Sequence, residues 1–199
     1  MKPFIVGLAG GIASGKSAVA RLLHAAGAVV LNADTLAHDA LRAPDVRDRV
    51  VAAFGTGVLA PDGEVDRSRL AAKVFGNPER LGQLESMIHP KVFEAIDRAI
   101  GNLGSENGKR AILVIDAPLL FETGLDGLAD AVIFVEAPIE LREARAAKTR
   151  GWAPGEVARR ETHQISPEEK RERATWVIEN KGTLEELEDR VREILARIG

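Results

Sequence analysis

The 199-residue sequence has no cysteine and no tyrosine, and aromatic residues make up only 4% of it. Without cysteine, the chain can form neither disulfide bonds nor thiolate zinc sites, and it has no cysteine nucleophile. It also lacks any run of 18 or more apolar residues, and the apolar segment at its amino end is too short for a signal-peptide core. These absences lead us to expect a cytoplasmic protein that does not enter a membrane.

The chain also has no net positive charge, because its 27 Lys and Arg are outnumbered by 30 Asp and Glu and the formal net charge is −3. The segment 142–173 nevertheless holds nine Lys or Arg and six Asp or Glu, which leaves 18 basic and 24 acidic residues in the remainder. With so few aromatic residues to stack on bases, this basic segment indicates a site for a small phosphorylated ligand and not a nucleic-acid surface. The alternative is a solvated helix whose charges pair along its own surface.

Short apolar segments alternate with helical patterns along the chain. Five of these segments predict strands that are buried on both faces of a parallel sheet: 4–8, 28–31, 111–115, 131–135 and 176–178. The alternation predicts an α/β fold with a doubly wound parallel sheet of about five strands. We expect one domain over residues 1–199, interrupted by a helical substrate-binding insert at about 35–101 and a helical lid at about 142–174.

The last helical pattern is the clearest. Thr183 and Glu186 form a capping-box signature at its start. Its apolar residues share one predicted face: Leu184, Leu187, Val191, Ile194, Leu195 and Ile198.

The strongest motif is GGIASGKS at 10–17, which fits the P-loop pattern G-x-x-x-x-G-K-[ST] and lies between a predicted strand and a predicted helix. Its glycines allow successive N–H groups to turn toward a phosphate, and the helix that follows adds its positive end. The predicted phosphate-binding residues are Gly10, Gly11, Ile12, Ala13, Ser14, Gly15, Lys16 and Ser17. Lys16 would reach the β- and γ-phosphates, and the Ser17 hydroxyl would bind Mg²⁺. The motif therefore predicts a nucleoside triphosphate site.

Two aspartates follow predicted strands. Asp116 ends the third strand, where a P-loop fold places the acidic residue that holds Mg²⁺, although an aspartate there can also simply form a turn or cap. Asp34 follows the second strand, where a carboxylate could orient an attacking hydroxyl and accept its proton. The alternative for Asp34 is the N-cap of the next helix.

Arginine and histidine supply the other candidates. Guanidinium groups neutralise a transferring phosphoryl group well, but spacing does not tell which arginine does so among Arg142, Arg145, Arg150, Arg159 and Arg160. No histidine pair has the spacing of a zinc hydrolase, which excludes that class; the four are His24, His38, His89 and His163. Because His89 precedes Pro90, we expect an extended segment or a helix break there.

A series of motifs along nearly the whole chain resembles the dephospho-CoA kinase family. Beyond the P-loop with its preceding GLA at 7–9, the matching segments are NAD at 32–34 with His38, FG at 54–55, DG at 62–63, DR at 66–67 with Leu70, VF at 74–75, LE at 84–85, HP at 89–90, DAPLLFE at 116–122, Gln164, KR at 170–171 with Ala174, and VIENKG at 177–182. The chain departs from the usual family residues at Ala13, Ala18 and Glu179.

The resemblance implies transfer of the γ-phosphoryl group of ATP to the ribose 3′-hydroxyl of dephospho-CoA, giving CoA and ADP. It implies that Asp34 is the base and that Lys16 and Arg145 stabilise the transferring charge. Further ATP contacts would come from Ala18, Asn180 and Gly182. The insert would hold the acceptor, with substrate contacts from Asp34, His38, His89, Pro118 and Leu119. We expect a monomer or a weak homo-oligomer.

Three other functions compete with this interpretation. One is another P-loop nucleoside or nucleotide kinase. A second is a GTPase, but its N-K-x-D motif needs an aspartate where the chain has Thr183, which favours adenine over guanine. The third is a non-catalytic ATP-binding module, but such a module would be expected to lose some of the residues Lys16, Ser17, Asp34 and Asp116, and the chain keeps all four.

Overall fold

A computed structural model describes residues 2–103, 110–162 and 164–198 of the chain. Its strands form one five-stranded sheet in the order β2-β3-β1-β4-β5, in which every neighbouring pair is parallel. The strands are β1 (Phe4–Gly10), β2 (Val29–Asn32), β3 (Ile112–Asp116), β4 (Ala131–Glu136) and β5 (Trp176–Glu179). The predicted α/β fold with a parallel sheet is therefore confirmed. The strand order changes direction at β1, and in such sheets ligands bind beyond the carboxyl ends of the strands at this point.

Helices occupy most of the remaining described chain. They are α1 (Lys16–Ala25), α2 (Ala33–Arg42), α3 (Pro44–Phe54), α4 (Arg67–Val74), α5 (Pro78–Asn102), α6 (Ile139–Arg150), α7 (Glu156–Glu161), α8 (Pro167–Arg173) and α9 (Leu184–Ile198). Short 3₁₀ turns lie at Thr56–Val58 and Leu125–Leu128. Within the described residues, no helix has the combined length and apolar character needed to cross a membrane.

The chain divides into two compact units. The first contains the residues up to Asn32 and those from Leu103 onward, and so includes the whole sheet with α1 and α6 to α9. The second is Ala33–Asn102, which contains α2 to α5.

Helices α1 and α9 bury their apolar sides in the main core of the sheet unit. This core joins the inward residues of both helices to the central strands: Val6, Leu8, Val19, Ala20, Leu23, Val114, Ile133, Val135, Ile178, Leu187, Val191 and Ile194. The strands are apolar at successive positions because both of their faces are buried. The core thereby fixes the start of α1 against the end of β1, which is where the P-loop lies.

Helix α9 confirms the predicted capping box and shows where burial begins along its apolar face. The N–H of Thr183 donates to Glu186 Oε2 at 2.9 Å, and the N–H of Glu186 donates to Thr183 Oγ1 at 3.2 Å. Leu184 on the predicted apolar face is 61% exposed. It is the first residue of the helix, and burial begins one turn later at Leu187.

The second unit is a helical bundle with its own core. Buried apolar residues from α2 to α5 and the 3₁₀ turn meet there: Leu41, Val46, Val50, Phe54, Val58, Leu70, Val74, Leu84 and Met87. Helix α4 begins with Asp66 as its N-cap, because one carboxylate oxygen accepts the N–H groups of Ser68 and Arg69 at 2.9 and 3.1 Å.

The helix break predicted at His89 and Pro90 was wrong. Both residues lie inside α5, a helix of 25 residues. Residues on each side of the proline are buried, including Met87 and Val92, and this packing outweighs the hydrogen bond that the proline removes. The His89 ring also contacts Phe93 edge to face, with 6.4 Å between the ring centroids.

Replacing Pro90 with alanine is expected to stabilise the folded chain. Proline in a helix interior lowers the free energy of unfolding by about 3 kcal/mol relative to alanine. Because proline also restricts the unfolded chain, it offsets up to about 1 kcal/mol of this loss, so we expect the free energy of unfolding of the alanine variant to be higher by about 2 kcal/mol. Urea unfolding followed by circular dichroism measures this gain. The control is Pro78→Ala at the first residue of α5, where proline costs little. Equal changes in the two variants would contradict the prediction.

Candidate active site

The P-loop connects the end of β1 at Gly10 to the start of α1 at Lys16. Two of its residues have left-handed backbone angles, with φ +57° at Ala13 and +98° at Gly15. The N–H of Ser14 donates to the carbonyl of Gly11 at 3.1 Å and closes the turn. Ala13 is the only described residue other than glycine with a positive φ, so the backbone of the loop adopts a conformation that favours glycine there.

Close contacts explain why glycine occupies positions 10 and 15, the two glycines that the P-loop pattern requires. A Cβ on Gly10 would lie 2.8 Å from Ser14 Oγ and 3.0 Å from the carbonyl oxygen of Val135. A Cβ on Gly15 would overlap the side-chain amide of Asn180. Neither position has room for a side chain.

The N-terminus of α1 offers free donors to an anion. The carbonyl of Gly15 accepts the N–H groups of Ala18 and Val19 at 2.8 and 3.3 Å. The N–H groups of Lys16 and Ser17 belong to the first turn of the helix and have no acceptor in the part of the chain that the structure describes. This end of the helix can therefore bind a negatively charged group.

Two side chains hold the outer side of the P-loop. The Ser14 carbonyl accepts Asn180 Nδ2 at 2.7 Å and Arg145 Nη1 at 3.1 Å, and Arg145 Nη2 donates to the Asn180 carbonyl at 3.0 Å. Because the carbonyl and N–H of a trans peptide point in opposite directions, holding the Ser14 carbonyl outward turns the N–H of Gly15 inward. Arg145 and Asn180 therefore fix the direction of the Gly15 N–H.

Lys16 and Asp116 meet at the carboxyl end of β3. The Lys16 ammonium forms an ion pair with Asp116 Oδ1, and both side chains are largely buried. Asn32 Nδ2 donates to the other carboxylate oxygen of Asp116 at 3.2 Å, because Asn32 and Asp116 are paired in the register of β2 and β3. The two residues predicted from separate motifs are thus brought into direct contact.

A second buried ion pair touches the loop. Arg142 Nη1 lies 2.5 Å from Glu161 Oε1, and the Arg142 Nε donates to the carbonyl of Ala137 at 3.1 Å. The same oxygen of Glu161 accepts the backbone N–H of Ile12 at 2.9 Å. Glu161 is the last residue of α7, so this helix is attached to the P-loop through a carboxylate.

The structure separates the predicted arginine cluster into two groups. Arg145 contacts the P-loop at the Ser14 carbonyl, and Arg142 Nη1 donates to the Ile12 carbonyl at 3.5 Å. The other three contact different partners: Arg150 and Arg160 lie over the Trp152 ring, and Arg159 and Arg160 form ion pairs with Glu156. Hydrogen bonds from Arg159 and Arg160 lower the pKa of Glu156 to about 2. These three arginines contact neighbours in their own segment, and among the described residues no hydrogen bond or ion pair joins them to the P-loop.

A buried lysine fixes the loop after β3. Lys170 lies in α8 and is only 2% exposed, and its ammonium contacts Glu122 at 3.0 Å and Gln164 Oε1 at 2.8 Å. The predicted substrate residues Pro118 and Leu119 belong to the same turn as Glu122. Leu119 is exposed, and its carbonyl accepts the Thr123 hydroxyl at 2.7 Å.

The remaining predicted residues fall in several places. Asp34 lies within the first turn of α2 in the helical unit, with His38 one turn later, and His89 lies in α5 of that unit. Gly182 precedes α9, and a Cβ there would overlap the carboxylate of Glu186. His163 lies outside the described residues. The described residues contain no cluster of three or more histidine, aspartate or glutamate side chains that could hold a metal ion.

A parallel sheet in this order, a P-loop between β1 and α1 and a buried aspartate at the end of β3 define a P-loop kinase fold. The comparisons with known proteins go further. A model of the dephospho-CoA kinase family matches residues 4–186. The chain therefore belongs to the dephospho-CoA kinase family, whose members transfer a phosphate group from ATP to an alcohol group.

Individual relatives agree with the family. A dephospho-CoA kinase of Corynebacterium diphtheriae is 39% identical over 194 residues, which cover 97% of this chain and 96% of that protein. The solved structure of TT1252 from Thermus thermophilus has a TM-score of 0.87 at 38% identity over the full length of both chains. The dephospho-CoA kinase of Campylobacter jejuni has a TM-score of 0.72 at 27% identity, covering 98% of this chain and 96% of that one. The predicted family is confirmed, and the other kinases are not favoured.

Sequence reasoning gave no role to several residues that shape the site. Asn32 and Glu161 were not assigned functions, although each accompanies a predicted site residue in the fold. Gln164 and Lys170 appeared only as parts of the family resemblance. Glu161 and Ile12 lie 149 residues apart along the chain, and Asn32 and Asp116 lie 84 apart, so spacing carries no signal for these two contacts.

Replacing Ala13 with glycine is expected to stabilise the protein by about 1 kcal/mol. The left-handed conformation destabilises a residue that has a Cβ by about 1–2 kcal/mol, and glycine avoids this strain. Glycine also has more freedom in the unfolded chain, which offsets part of the expected gain in stability. The control is Ala18→Gly in the first turn of α1, where glycine should destabilise by up to about 1 kcal/mol. Thermal and urea unfolding measure both. A loss of stability in Ala13→Gly would contradict the prediction.

Proposed function

We propose that this chain transfers the γ-phosphoryl group of ATP to the 3′-hydroxyl of the ribose in dephospho-CoA, giving CoA and ADP. The observation that carries the proposal is the P-loop between β1 and α1, with Lys16 paired to Asp116, in a chain of the dephospho-CoA kinase family. The loop supplies the charge and the donors that a triphosphate needs, and the family supplies the acceptor.

The P-loop is proposed to bind the phosphates of ATP through its backbone N–H groups and Lys16. The free N–H groups of Lys16 and Ser17 support this role, because they point from the positive end of a helix. Ala18 continues the same turn. Asn180 and Gly182 are proposed to contact the adenine, and the contact of Asn180 with the loop carbonyl of Ser14 supports that position.

The residues of the site fit Mg²⁺. Ser17 offers an exposed hydroxyl, and Asp116 offers a carboxylate at the end of β3, both of which are oxygen ligands of the kind that Mg²⁺ prefers. Mg²⁺ in kinase sites is held by few protein ligands together with phosphates and water, so a larger acidic cluster is not required. When bound, the ion neutralises charge on the β- and γ-phosphates. Ser17 and Asp116 are the residues proposed to hold it.

Asp34 is proposed to be the general base. The 3′-oxygen of the acceptor attacks the γ-phosphorus, the bond from that phosphorus to the bridging oxygen breaks, and ADP leaves with the electron pair. The hydroxyl proton passes to the Asp34 carboxylate. Asp34 is exposed in the first turn of α2 and follows Asn32 by only two residues, and Asn32 contacts Asp116. These observations support the assignment.

Other residues are proposed to bind the acceptor and to stabilise charge. His38 lies on the same side of α2 as Asp34, at i+4, and His89 lies in the same helical unit. Pro118 and Leu119 offer a partly apolar turn whose position Glu122 and Lys170 fix. Arg145 stays the arginine proposed to stabilise the transferring phosphoryl group. In the structure its two Nη atoms donate to the carbonyls of Ser14 and Asn180. This role therefore requires that at least one of these hydrogen bonds be replaced by a hydrogen bond to the phosphoryl group.

A substrate panel tests the proposed reaction. ADP formation should rise with dephospho-CoA and stay at background with nucleoside monophosphates, and mass spectrometry should show CoA as the product. Lys16→Ala should lose both ATP binding and turnover, because the triphosphate loses its buried positive charge. ADP formation with nucleoside monophosphates but not with dephospho-CoA would contradict the proposal.

Asp34→Asn is expected to lower kcat by about 10²–10⁴-fold and to leave ATP affinity nearly unchanged, because the amide cannot accept the proton. Steady-state kinetics and ATP titration measure the two quantities. The matched control is Asp39→Asn, an exposed carboxylate on the same helix, which should keep wild-type kcat. Wild-type turnover in Asp34→Asn would show that the base is another group.

A further inference from the structure

One backbone donor of the P-loop is already engaged by a side chain. The N–H of Ile12 donates to Glu161 Oε1 at 2.9 Å. Ile12 lies within the loop whose N–H groups surround phosphate oxygens in this motif. A carboxylate oxygen and a phosphate oxygen are acceptors of the same kind, so Glu161 occupies a position suited to an anionic ligand.

The same carboxylate oxygen also engages Arg142. The Nη1 atom of Arg142 lies 2.5 Å from Glu161 Oε1, and the exposed fractions of the two side chains are only 10% and 14%. A Cβ on Gly11 would lie 3.1 Å from both groups, so the pair lies directly against the loop. Arg142 therefore has its charge beside the P-loop, and Glu161 neutralises it there.

This arrangement sets a cost for phosphate binding. A triphosphate brings several negative charges, and like charges at short range in a poorly solvated site repel strongly. Ile12 has a single backbone proton to donate, so Glu161 and a phosphate oxygen cannot both receive its full hydrogen bond. A phosphate oxygen that accepts the N–H of Ile12 therefore has to displace the Glu161 carboxylate from it.

We propose that Glu161 competes with the phosphates of ATP for the N–H of Ile12 and for Arg142, and that it thereby sets the affinity for ATP. This inference rests on the proposed function, since it takes ATP as the ligand of the P-loop. It assigns Glu161 as a residue that tunes affinity and Arg142 as a second arginine that becomes available to phosphate.

Glu161→Gln tests the competition. The amide keeps the size of the side chain and loses its charge, so the dissociation constant for Mg·ATP should fall by on the order of tenfold, because the competing state is less populated. Isothermal titration calorimetry measures the constant. The matched control is Glu156→Gln, which removes another carboxylate from helix α7. The Glu156 carboxylate pairs with Arg159 and Arg160, and among the described residues it forms no hydrogen bond to the loop. This variant should bind Mg·ATP as the wild type does.

Two further probes distinguish competition from a merely structural ion pair. Inorganic tripolyphosphate should bind Glu161→Gln more tightly than wild type by a similar factor, whereas adenosine should bind both equally. Thermal unfolding without added ligand should show a lower Tm in the variant, because Arg142 loses its charged partner, yet Mg·ATP should raise the Tm of the variant more than that of wild type. Equal or weaker tripolyphosphate binding in the variant would overturn the inference.

A second variant keeps the test decisive if Glu161→Gln does not fold. Glu161→Asp keeps the charge on a side chain shorter by one methylene, which weakens its hold on the loop, so ATP affinity should rise by a smaller factor. Unchanged or lower affinity would overturn the inference. If the wild type does not bind Mg·ATP, the proposed function fails. If the wild type binds Mg·ATP, Lys16→Ala does not, and neither Glu161 variant binds it more tightly than the wild type, only this inference fails.

Discussion

The orientation of the P-loop backbone depends on the hydrogen bonds that the Ser14 carbonyl oxygen accepts. Asn180 and Arg145 both donate to it, although they lie more than a hundred residues away along the chain. Because each trans peptide sets its carbonyl and its next N–H in opposite directions, these outer bonds determine which way the inner donor of Gly15 faces. The direction of the Gly15 N–H is therefore determined by contacts on the outer side of the loop.

The sheet brings those contacts to one place. Strand β1 leads into the loop, β3 delivers Asp116, and β5 ends next to Asn180, all at the carboxyl edge of parallel strands. Helix α6 follows β4 at the same edge and carries Arg142 and Arg145 one turn apart. Such a site needs no long loops, because the strand order alone gathers residues from both halves of the sequence.

Much of the fold and part of the site could be predicted from the sequence. Buried strands are apolar at successive positions and the P-loop has a fixed spacing, so local pattern suffices for the sheet, for Lys16 and for the position of Asp116. The helix break at Pro90 was predicted wrongly because packing within the helical bundle outweighs the local preference of a proline. Leu184 fits the period of α9, but periodicity does not tell where burial along a helix begins.

Side-chain partners could not be predicted in the same way. The five arginines look alike in sequence, and only the fold separates Arg142 and Arg145 at the loop from the three that contact Trp152 and Glu156. A buried cation has to be neutralised, and any nearby carboxylate satisfies this need equally well. Which carboxylate pairs with each arginine is determined by the tertiary structure, and the spacing of residues along the sequence does not predict it.

Two carboxylates neutralise the two buried cations beside the P-loop, and their positions give them different consequences for phosphate binding. Asp116 holds Lys16 from the end of a central strand, and Asn32 holds the other oxygen of Asp116, so its carboxylate stays in place whatever Lys16 contacts. Glu161 holds Arg142 from the last residue of a short helix and takes a backbone donor of the loop itself. In the proposed function, a phosphate can therefore take Lys16 from Asp116 while the Asp116 carboxylate stays at the end of β3. By the proposed competition, it takes the N–H of Ile12 only when Glu161 moves away from that donor.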